Sequence, residues 1–202
     1  MKMNANFPRV FVLLCLVAGL VFTSGCIGSN QSGATTIPYV PPETTTVRHI
    51  IEQPKLESYQ DPANTLRIKH PTSWTTQENV MGSTAVFLSP KENAQDFFQE
   101  NINIISFDLS MTLDQYSAYA ESQIKQSITD ANILESSAAT LAGNPAHKLV
   151  FTGRQGQNNL KWMQVWAMKN NKVYILTYTA EEGSYDAYLP TAQEIMASFT
   201  IL

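Results

Sequence analysis

From about residue 56 onward, the chain consists of short apolar runs separated by turn residues, a pattern typical of β-strands. We predict eight strands, at residues 66–69, 84–88, 102–110, 133–141, 146–153, 160–168, 172–180 and 199–202. Three of the connections are too short for a crossover: a tight turn at 143–145, a longer hairpin at 153–159 and a turn at 169–171. The strands that flank each of them should therefore pair antiparallel.

These strands carry apolar side chains on both faces. In the run 160–168, one face holds Trp162, Trp166 and Met168, and the other holds Met163, Val165 and Ala167. A sheet that is apolar on both sides needs cover on both sides. The pattern therefore predicts an α+β fold in which an antiparallel β-sheet is flanked by helices on both faces, an α/β/α sandwich.

Two stretches have helical spacing and provide that cover. The first begins at Thr112, where Thr112 and Gln115 have the spacing of a capping box. Its apolar stripe, which we interpret as core packing, is Leu113, Tyr116, Ala120, Ile124 and Ile128. The second helix is predicted at 184–197, with Tyr185, Leu189, Ala192 and Ile195 facing inward. Pro190 lies inside it and implies either a late start or a kink.

The first 25 residues have the layout of a signal peptide. Lys2 and Arg9 are followed by an unbroken apolar stretch at 10–22. As a helix, this stretch would span only about 20 Å at 1.5 Å per residue, less than the roughly 30 Å of a bilayer's hydrocarbon core. A cleaved signal at 1–25 is therefore favoured, and an uncleaved anchor from Val10 to about Ile27 stays open.

Thr23, Ser24 and Gly25 before Cys26 resemble the lipobox of prokaryotic lipoproteins, in which the cysteine thiol receives a lipid. The sequence departs from that pattern at Thr23, where leucine is usual and which an archaeal-type signal would tolerate. The resemblance makes Cys26 the lipid attachment residue and implies a domain held on the outer face of the cytoplasmic membrane.

Residues 26–55 form a Thr/Pro-rich segment with almost no periodic hydrophobicity, which predicts a disordered tether. It leaves residues 56–202 as one globular domain of ordinary size. Cys15 lies inside the expected signal, so the mature chain would contain no disulfide.

Charge narrows the range of partners. Without Lys2 and Arg9, the chain has 11 basic and 17 acidic residues, which gives a net charge of −6. Such a surface repels nucleic acid and anionic lipid, which excludes a nucleic-acid-binding protein.

Local motifs across nearly the whole domain together resemble the PsbP-like family, named for an extrinsic lumenal protein of photosystem II, and its prokaryotic relatives. The motifs lie at Tyr59, Asp61, Pro62, Leu66, Ile68, His70, Pro71, Ser73 and Trp74, then at Phe87 to Pro90, Asn101, Asn103, Leu113, Tyr116, Leu141 to Gly143, Pro145, Ala146, Tyr178 to Ala180, Ser198 and Phe199. The resemblance implies an antiparallel sheet between helices. These positions are mostly structural, so they transfer a fold and not an activity. The family's photosynthetic members act as accessory proteins that dock on a membrane complex, so the resemblance implies a non-enzymatic accessory role.

No pattern of catalytic, cofactor-binding or metal-ligating residues is apparent. His49, His70 and His147 have no neighbours at metal-ligand spacing, and we interpret the last two as structural. No nucleophile elbow and no phosphate-binding glycine loop is present. The pair Glu181 and Glu182 is best explained as a solvated turn ahead of a helix.

The sequence thus predicts a non-enzymatic cell-surface lipoprotein, a binding or accessory module for a membrane or envelope complex. The candidate contact loops are 75–79 and 154–159, since function tends to lie on loops over a rigid scaffold. One alternative is a small-ligand carrier with a pocket lined by Trp162, Trp166 and tyrosines. Another is a hydrolase whose residues meet only in three dimensions.

Overall fold

The computed structural model describes residues 55–202 of the 202-residue chain. The predicted signal segment, Cys26, His49 and the tether up to residue 54 lie outside the described residues. The predictions made for them remain expectations.

The described residues form ten strands and two helices. In chain order these are β1 (Leu56–Gln60), β2 (Leu66–Pro71), β3 (Thr75–Glu78), β4 (Ala85–Leu88), β5 (Asn101–Asp108), α1 (Leu113–Ser127), β6 (Thr129–Leu141), β7 (Asn144–Gln155), β8 (Asn158–Lys169), β9 (Lys172–Glu181), α2 (Tyr185–Ala197) and β10 (Thr200–Ile201).

Seven of the strands form one sheet in the order β3-β4-β5-β9-β8-β7-β6, and every neighbouring pair in it is antiparallel. The remaining strands form a small antiparallel sheet in the order β1-β2-β10. The predicted α+β class with antiparallel pairing is confirmed. The small sheet is a feature that the strand pattern did not predict.

The hairpin turns are tighter than the sequence predicted. Ala142 and Gly143 connect β6 to β7 with φ of 48° and 74°, and Asn170 and Asn171 connect β8 to β9 with φ of 54° and 56°. Positive φ at both central residues is the signature of a type I′ turn, which suits the twist of a hairpin. Gly156, with φ of 61°, begins the two-residue turn between β7 and β8. The prediction of a longer hairpin connection at 153–159 was therefore wrong.

The large sheet buries both of its faces, as the alternation of apolar residues predicted. Along β8, Trp162 and Trp166 belong to one hydrophobic cluster, whereas Met163, Val165 and Ala167 belong to another. Because successive strand residues point to opposite faces, the two clusters lie on opposite sides of the sheet.

Each cluster includes one of the helices. We call the first side the α1 face, because Tyr116 and Ile124 of α1 belong to its cluster. The second is the α2 face, where Ala192 and Ile195 of α2 pack together with the small sheet. The predicted inward stripes of both helices are confirmed, since their members are buried or packed against these clusters.

The ends of the helices follow from local chemistry. The Thr112 hydroxyl accepts a hydrogen bond from the backbone N–H of Gln115 at 3.2 Å, and the Gln115 side chain accepts one from the N–H of Thr112 at 3.0 Å. The predicted capping box is therefore confirmed. The second helix begins at Tyr185 and contains Pro190, so a late start of α2 is wrong. No helix among residues 55–202 has the length and apolarity needed to cross a bilayer.

Candidate functional site

A cluster of buried ionisable groups lies between the end of β4 and the start of β5. Glu100 directly precedes β5 and is only 2% exposed. The Ser89 hydroxyl donates a hydrogen bond to Glu100 Oε2 at 3.3 Å, and the Ser89 N–H donates to the Glu100 carbonyl at 2.8 Å. These bonds close the segment 89–100 into a loop at this end of the sheet.

Tyrosines of β9 and α2 lie at the same end of the sheet, and the charge of Glu100 acts on two of them, Tyr178 and Tyr188. Tyr178 of β9 donates its hydroxyl to the backbone carbonyl of Tyr185 at 2.8 Å, and the two rings lie 4.9 Å apart. Tyr188, one turn further along α2, donates its hydroxyl to Glu92 Oε1 at 3.1 Å. We refer to Ser89, Glu100, Tyr178, Tyr185 and Tyr188 as the Glu100 cluster. It joins loop 89–100 to the beginning of α2.

Burial governs the electrostatics of this cluster. Loss of solvation raises the pKa of Glu100 above its ordinary value, and the nearby charges of Glu92 and Asp96 raise it further. Burial, reinforced by Glu100, also raises the pKa of Tyr188 to about 12. The tyrosines are therefore neutral at neutral pH, and the protonated form of Glu100 is favoured more than it would be in an exposed glutamate.

A cation reaches this end of the sheet from β8. The Lys161 ammonium lies 4.1 Å from the centre of the Tyr185 ring and 3.6 Å from Asp186 Oδ1. Lys161 therefore contacts the cluster through the Tyr185 ring. The side-chain hydrogen bond of Glu100 comes from Ser89 instead. The arrangement fixes loop 89–100 next to the start of α2.

Loop 89–100 is held by its own hydrogen bonds as well. The Asp96 carboxylate accepts the backbone N–H of Glu92 at 2.9 Å and that of Phe98 at 3.0 Å. Phe98 is buried in the α1-face cluster, whereas its neighbour Phe97 is 70% exposed. The loop thus displays one aromatic ring to solvent on a fixed backbone.

The two loops predicted as contact surfaces are not loops over most of their length. Residues 75–78 form β3, an edge strand, and only Asn79 of that stretch lies beyond it. Asn79 lines a cleft of about 390 Å³, with Asp61, Ser83 and Lys172 among its other walls. The sequence predicted a loop at 75–79 because its residues are polar and lack apolar alternation.

The second predicted loop, 154–159, mostly belongs to β7 and β8, and only Gly156 and Gln157 connect them. Gln157 lines a polar recess of about 520 Å³, together with Asn158, Asn159 and the stretch from Glu181 to Ser184. Glu181 and Glu182 are both exposed in that recess. Glu181 is the last residue of β9, so only Glu182 lies in the predicted solvated turn ahead of α2. Among residues 55–202, no group of three or more His, Cys, Asp and Glu side chains is placed to hold a metal ion.

Both described histidines have structural partners. His70 is buried, lies 4.7 Å from the Phe87 ring, and its Nδ1 is 3.0 Å from the Pro71 carbonyl oxygen. His147 stacks on Trp166 at 5.2 Å, and its Nε2 lies 2.9 Å from Ser136 Oγ. This Ser–His pair lies on the exposed strand β6 and its neighbour β7, where Ser136 is open to solvent. The structural interpretation of both residues therefore holds.

The tryptophans of the ligand-carrier alternative are part of the core. Trp162 is fully buried and stacks on Phe151 at 4.9 Å. Trp166 donates its indole N–H to the Ser117 hydroxyl at 3.0 Å, which ties β8 to α1. Their rings fill the space between sheet and helix instead of lining a pocket there.

The fold defines an α+β domain built on an antiparallel sheet, with hydrophobic clusters on both of its faces. The family model for PsbP matches residues 54–201, and the chain belongs to the PsbP family. The resemblance found in the sequence motifs is thereby confirmed. No curated protein sequence gives a significant match to the chain.

Several solved structures share this fold. The cyanobacterial PsbP of Synechocystis sp. PCC 6803, CyanoP, superposes with a TM-score of 0.55 at 15% identity, over 75% of this chain and 95% of that one. LpqN of Mycobacterium tuberculosis, described as involved in cell envelope biogenesis, gives 0.55 at 14% identity, over 73% and 90%. A Pseudomonas aeruginosa protein of unknown function gives 0.52 at 16%, over 71% and 94%. At such identities the likeness establishes the fold alone.

Proposed function

We propose that this protein is a non-catalytic accessory module that docks on a membrane or envelope protein complex. The observation that carries the proposal is Phe97, an exposed aromatic ring on loop 89–100, whose backbone is held by the Glu100 cluster and by Asp96. Membership of the PsbP family supports it, as does the fold shared with CyanoP and with the envelope-biogenesis protein LpqN.

An exposed Phe ring on a held backbone is the kind of side chain that is enriched at the core of protein interfaces. The loop has a net negative charge, because Glu92 and Asp96 outnumber Lys91 on it. The partner surface that fits is therefore an apolar pocket with basic residues at its rim, since complementary charges steer association and fix its register. The large sheet, with one helix on each face as in an α/β/α sandwich, is the scaffold that holds the loop.

The location of the module is part of the proposal. We assign residues 1–25 to a signal peptide, Cys26 to lipid attachment and residues 26–55 to the tether, which would hold the domain outside the cytoplasmic membrane. The support is the sequence alone: a short apolar stretch, small residues before the cysteine, and a Thr/Pro-rich segment after it.

Partner capture tests the docking role. The full-length chain is cross-linked in cells, purified from detergent-solubilised membranes and analysed by mass spectrometry, in parallel with Phe97→Ala. The matched control is Leu202→Ala, which truncates another exposed apolar side chain far along the sequence from the loop. We expect one partner to be lost at least tenfold in the Phe97 variant and to be retained in the control. Equal recovery from both variants would contradict the assignment of loop 89–100 as the contact surface.

Fractionation tests the anchor independently. The Cys26→Ser variant should leave the membrane fraction or accumulate uncleaved, whereas the parent chain should remain with membranes and carry the mass of a lipid on its first residue. A purified parent chain with an unmodified Cys26 thiol and the leader attached would reject the lipoprotein assignment, and it would leave the docking proposal to the capture experiment.

A further inference from the structure

The strand β6 forms one edge of the seven-stranded sheet. It is the longest strand described, with 13 residues, and its strand partner among residues 55–202 is β7. An edge strand of this length exposes a row of backbone N–H and C=O groups to which another strand can pair.

Among residues 55–202, features that hinder edge pairing occur at the other edge of the sheet but not along residues 136–141 of this one. The opposite edge strand, β3, has only four residues and ends at the charged Glu78. In β6 the register shifts are confined to the part between Thr129 and Glu135, and the stretch 136–141 is a run of small or apolar residues without proline, charge or bulge. The devices that natural sheets use against edge pairing are thus absent from 136–141.

The turn that follows β6 fixes which backbone groups point outward. In a type I′ turn the residues on either side, here Leu141 and Asn144, form a hydrogen-bonded pair. Hydrogen-bonded and non-bonded pairs then alternate along the hairpin. Ser136, Ala138 and Thr140 are therefore non-bonded toward β7, and their N–H and C=O groups point away from the sheet.

Within the part of the chain that the structure describes, this stretch is accessible to solvent. The side chains of Ser136, Ala138 and Thr140 are all exposed and small. The first helix packs against β6 and β7 and joins β6 at Thr129. Its first turns lie over Trp166 of β8, which is two strands in from the edge at the level of Ala138.

We propose that the stretch 136–141 of β6 pairs antiparallel with the same stretch of a second copy of this chain, about a two-fold axis at Ala138. In that register Ala138 faces Ala138 of the other copy and Ser136 faces its Thr140, and each pair exchanges its outward backbone hydrogen bonds. Glu135 faces Leu141, so no like charges lie opposite each other, a condition that stable strand pairs require. The two seven-stranded sheets then become one continuous sheet. This surface is distinct from loop 89–100, so the inference does not depend on the docking role.

Disulfide trapping in the full-length chain tests the register. The Cα atoms of a hydrogen-bonded antiparallel pair lie about 5.5 Å apart, within the range that a disulfide can bridge. The Ala138→Cys variant should therefore form a disulfide-linked homodimer on mild oxidation, in at least fivefold excess over the parent. The parent corrects for any linkage through Cys15 or Cys26. The control is Gln77→Cys, an exposed position on the other edge strand, which should give no more dimer than the parent.

A second pair of variants tests the association without a cross-link. Ala138→Lys would place two ammonium groups opposite each other at the axis and should lower the dimer fraction of the detergent-purified chain at least tenfold in analytical ultracentrifugation. Gln77→Lys adds the same charge on the other edge and should leave it unchanged. Circular dichroism of each variant checks that it is folded. Self-pairing would be overturned by a parent chain that is monomeric at 100 micromolar, or by an Ala138→Cys variant that cross-links to a different protein in place of a second copy.

Discussion

Asp61 and Glu100 are both buried carboxyl groups, 5% and 2% exposed, yet their surroundings shift their pKa values in opposite directions. Asp61 lies in the turn between β1 and β2, where its oxygens accept the N–H of Thr65 and of Leu66 at 2.7 Å each and the Thr65 hydroxyl at 2.8 Å. Glu100 accepts one side-chain bond, from Ser89 at 3.3 Å.

This difference accounts for the two directions. Burial alone would raise the pKa of Asp61, but the hydrogen bonds from Leu66 and Thr65 stabilise its charged form and lower the pKa below its ordinary value. For Glu100, burial and the neighbouring Glu92 outweigh the hydrogen bonds, so its pKa is raised. The turn at Asp61 is thus more stable when the Asp61 carboxyl group is charged. The Glu100 cluster is more stable when the Glu100 carboxyl group is protonated.

The largest expected effect is at Asp61. Asp61→Ala should lower the free energy of unfolding by about 3 kcal/mol at pH 7, because the N–H groups of Thr65 and Leu66 would lose a charged acceptor. Urea denaturation measures it. Asp61→Asn keeps one acceptor oxygen and should lose less. A loss below about 1 kcal/mol in the alanine variant would show that water can replace the carboxylate as acceptor, and that the Asp61 hydrogen bonds do not hold the turn.

The pH dependence at Asp61 is the second effect. A lowered pKa means that the stability gained from the charged group is present above the unfolded-state pKa of about 3.9 and is lost as pH falls through the folded-state value. The difference in unfolding free energy between the parent and Asp61→Asn should therefore be full at pH 7 and shrink below about pH 4. A difference that stays constant from pH 7 to pH 3 would contradict an ionised Asp61.

Glu100 should show a smaller effect of opposite sign. Its raised pKa means that the protonated form stabilises the fold below about pH 4.3 and that this contribution is lost as pH rises through the folded-state value. Glu100→Gln, a neutral side chain of the same shape, should therefore be more stable than the parent at pH 7 and similar to it near pH 4. Urea midpoints across that range measure this. A variant less stable than the parent at pH 7 would mean that the carboxylate has a stabilising partner.

The smallest effect is expected at the rim of the Glu100 cluster. Tyr188→Phe removes the hydroxyl bond to Glu92 and should lower stability by only about 0.5 kcal/mol. It should also increase hydrogen exchange of the amides in loop 89–100 while those of the Asp61 turn stay unchanged. Equal exchange in the loop of both proteins would show that Tyr188 does not hold it.

The strand predictions were good where apolar alternation was strong and failed where it was weak. The strands β8 and β9 were located within one or two residues, because each carries apolar residues on both faces. The polar strands β1 and β3 were not predicted, since both lie at sheet edges and their side chains are mostly exposed. Edge strands need only one partner and little burial, so their sequences carry a weak signal.

The candidate site was not predicted at all. A signal existed, because Glu100 continues the alternation of Ile102 and Ile104 and must therefore lie on the same buried face. No pattern along the chain indicates that Glu100 lies close to Tyr178 of β9 and Tyr188 of α2. Likewise, Phe97 and Phe98 are adjacent and chemically identical, and only the path of the loop exposes one and buries the other.

The sequence by itself determined the family, the antiparallel hairpins, the two helices with their inward stripes, and the need for cover on both faces of the sheet. All of these depend on hydrophobic periodicity and turn chemistry, which act over a few neighbouring residues. Within residues 55–202, the tertiary structure decided which polar residues are buried, which groups Asp61 and Glu100 contact, and which strand forms the long exposed edge of the sheet. Those outcomes depend on contacts between residues far apart in the chain, and the strength of an electrostatic interaction depends on how much water the whole fold excludes.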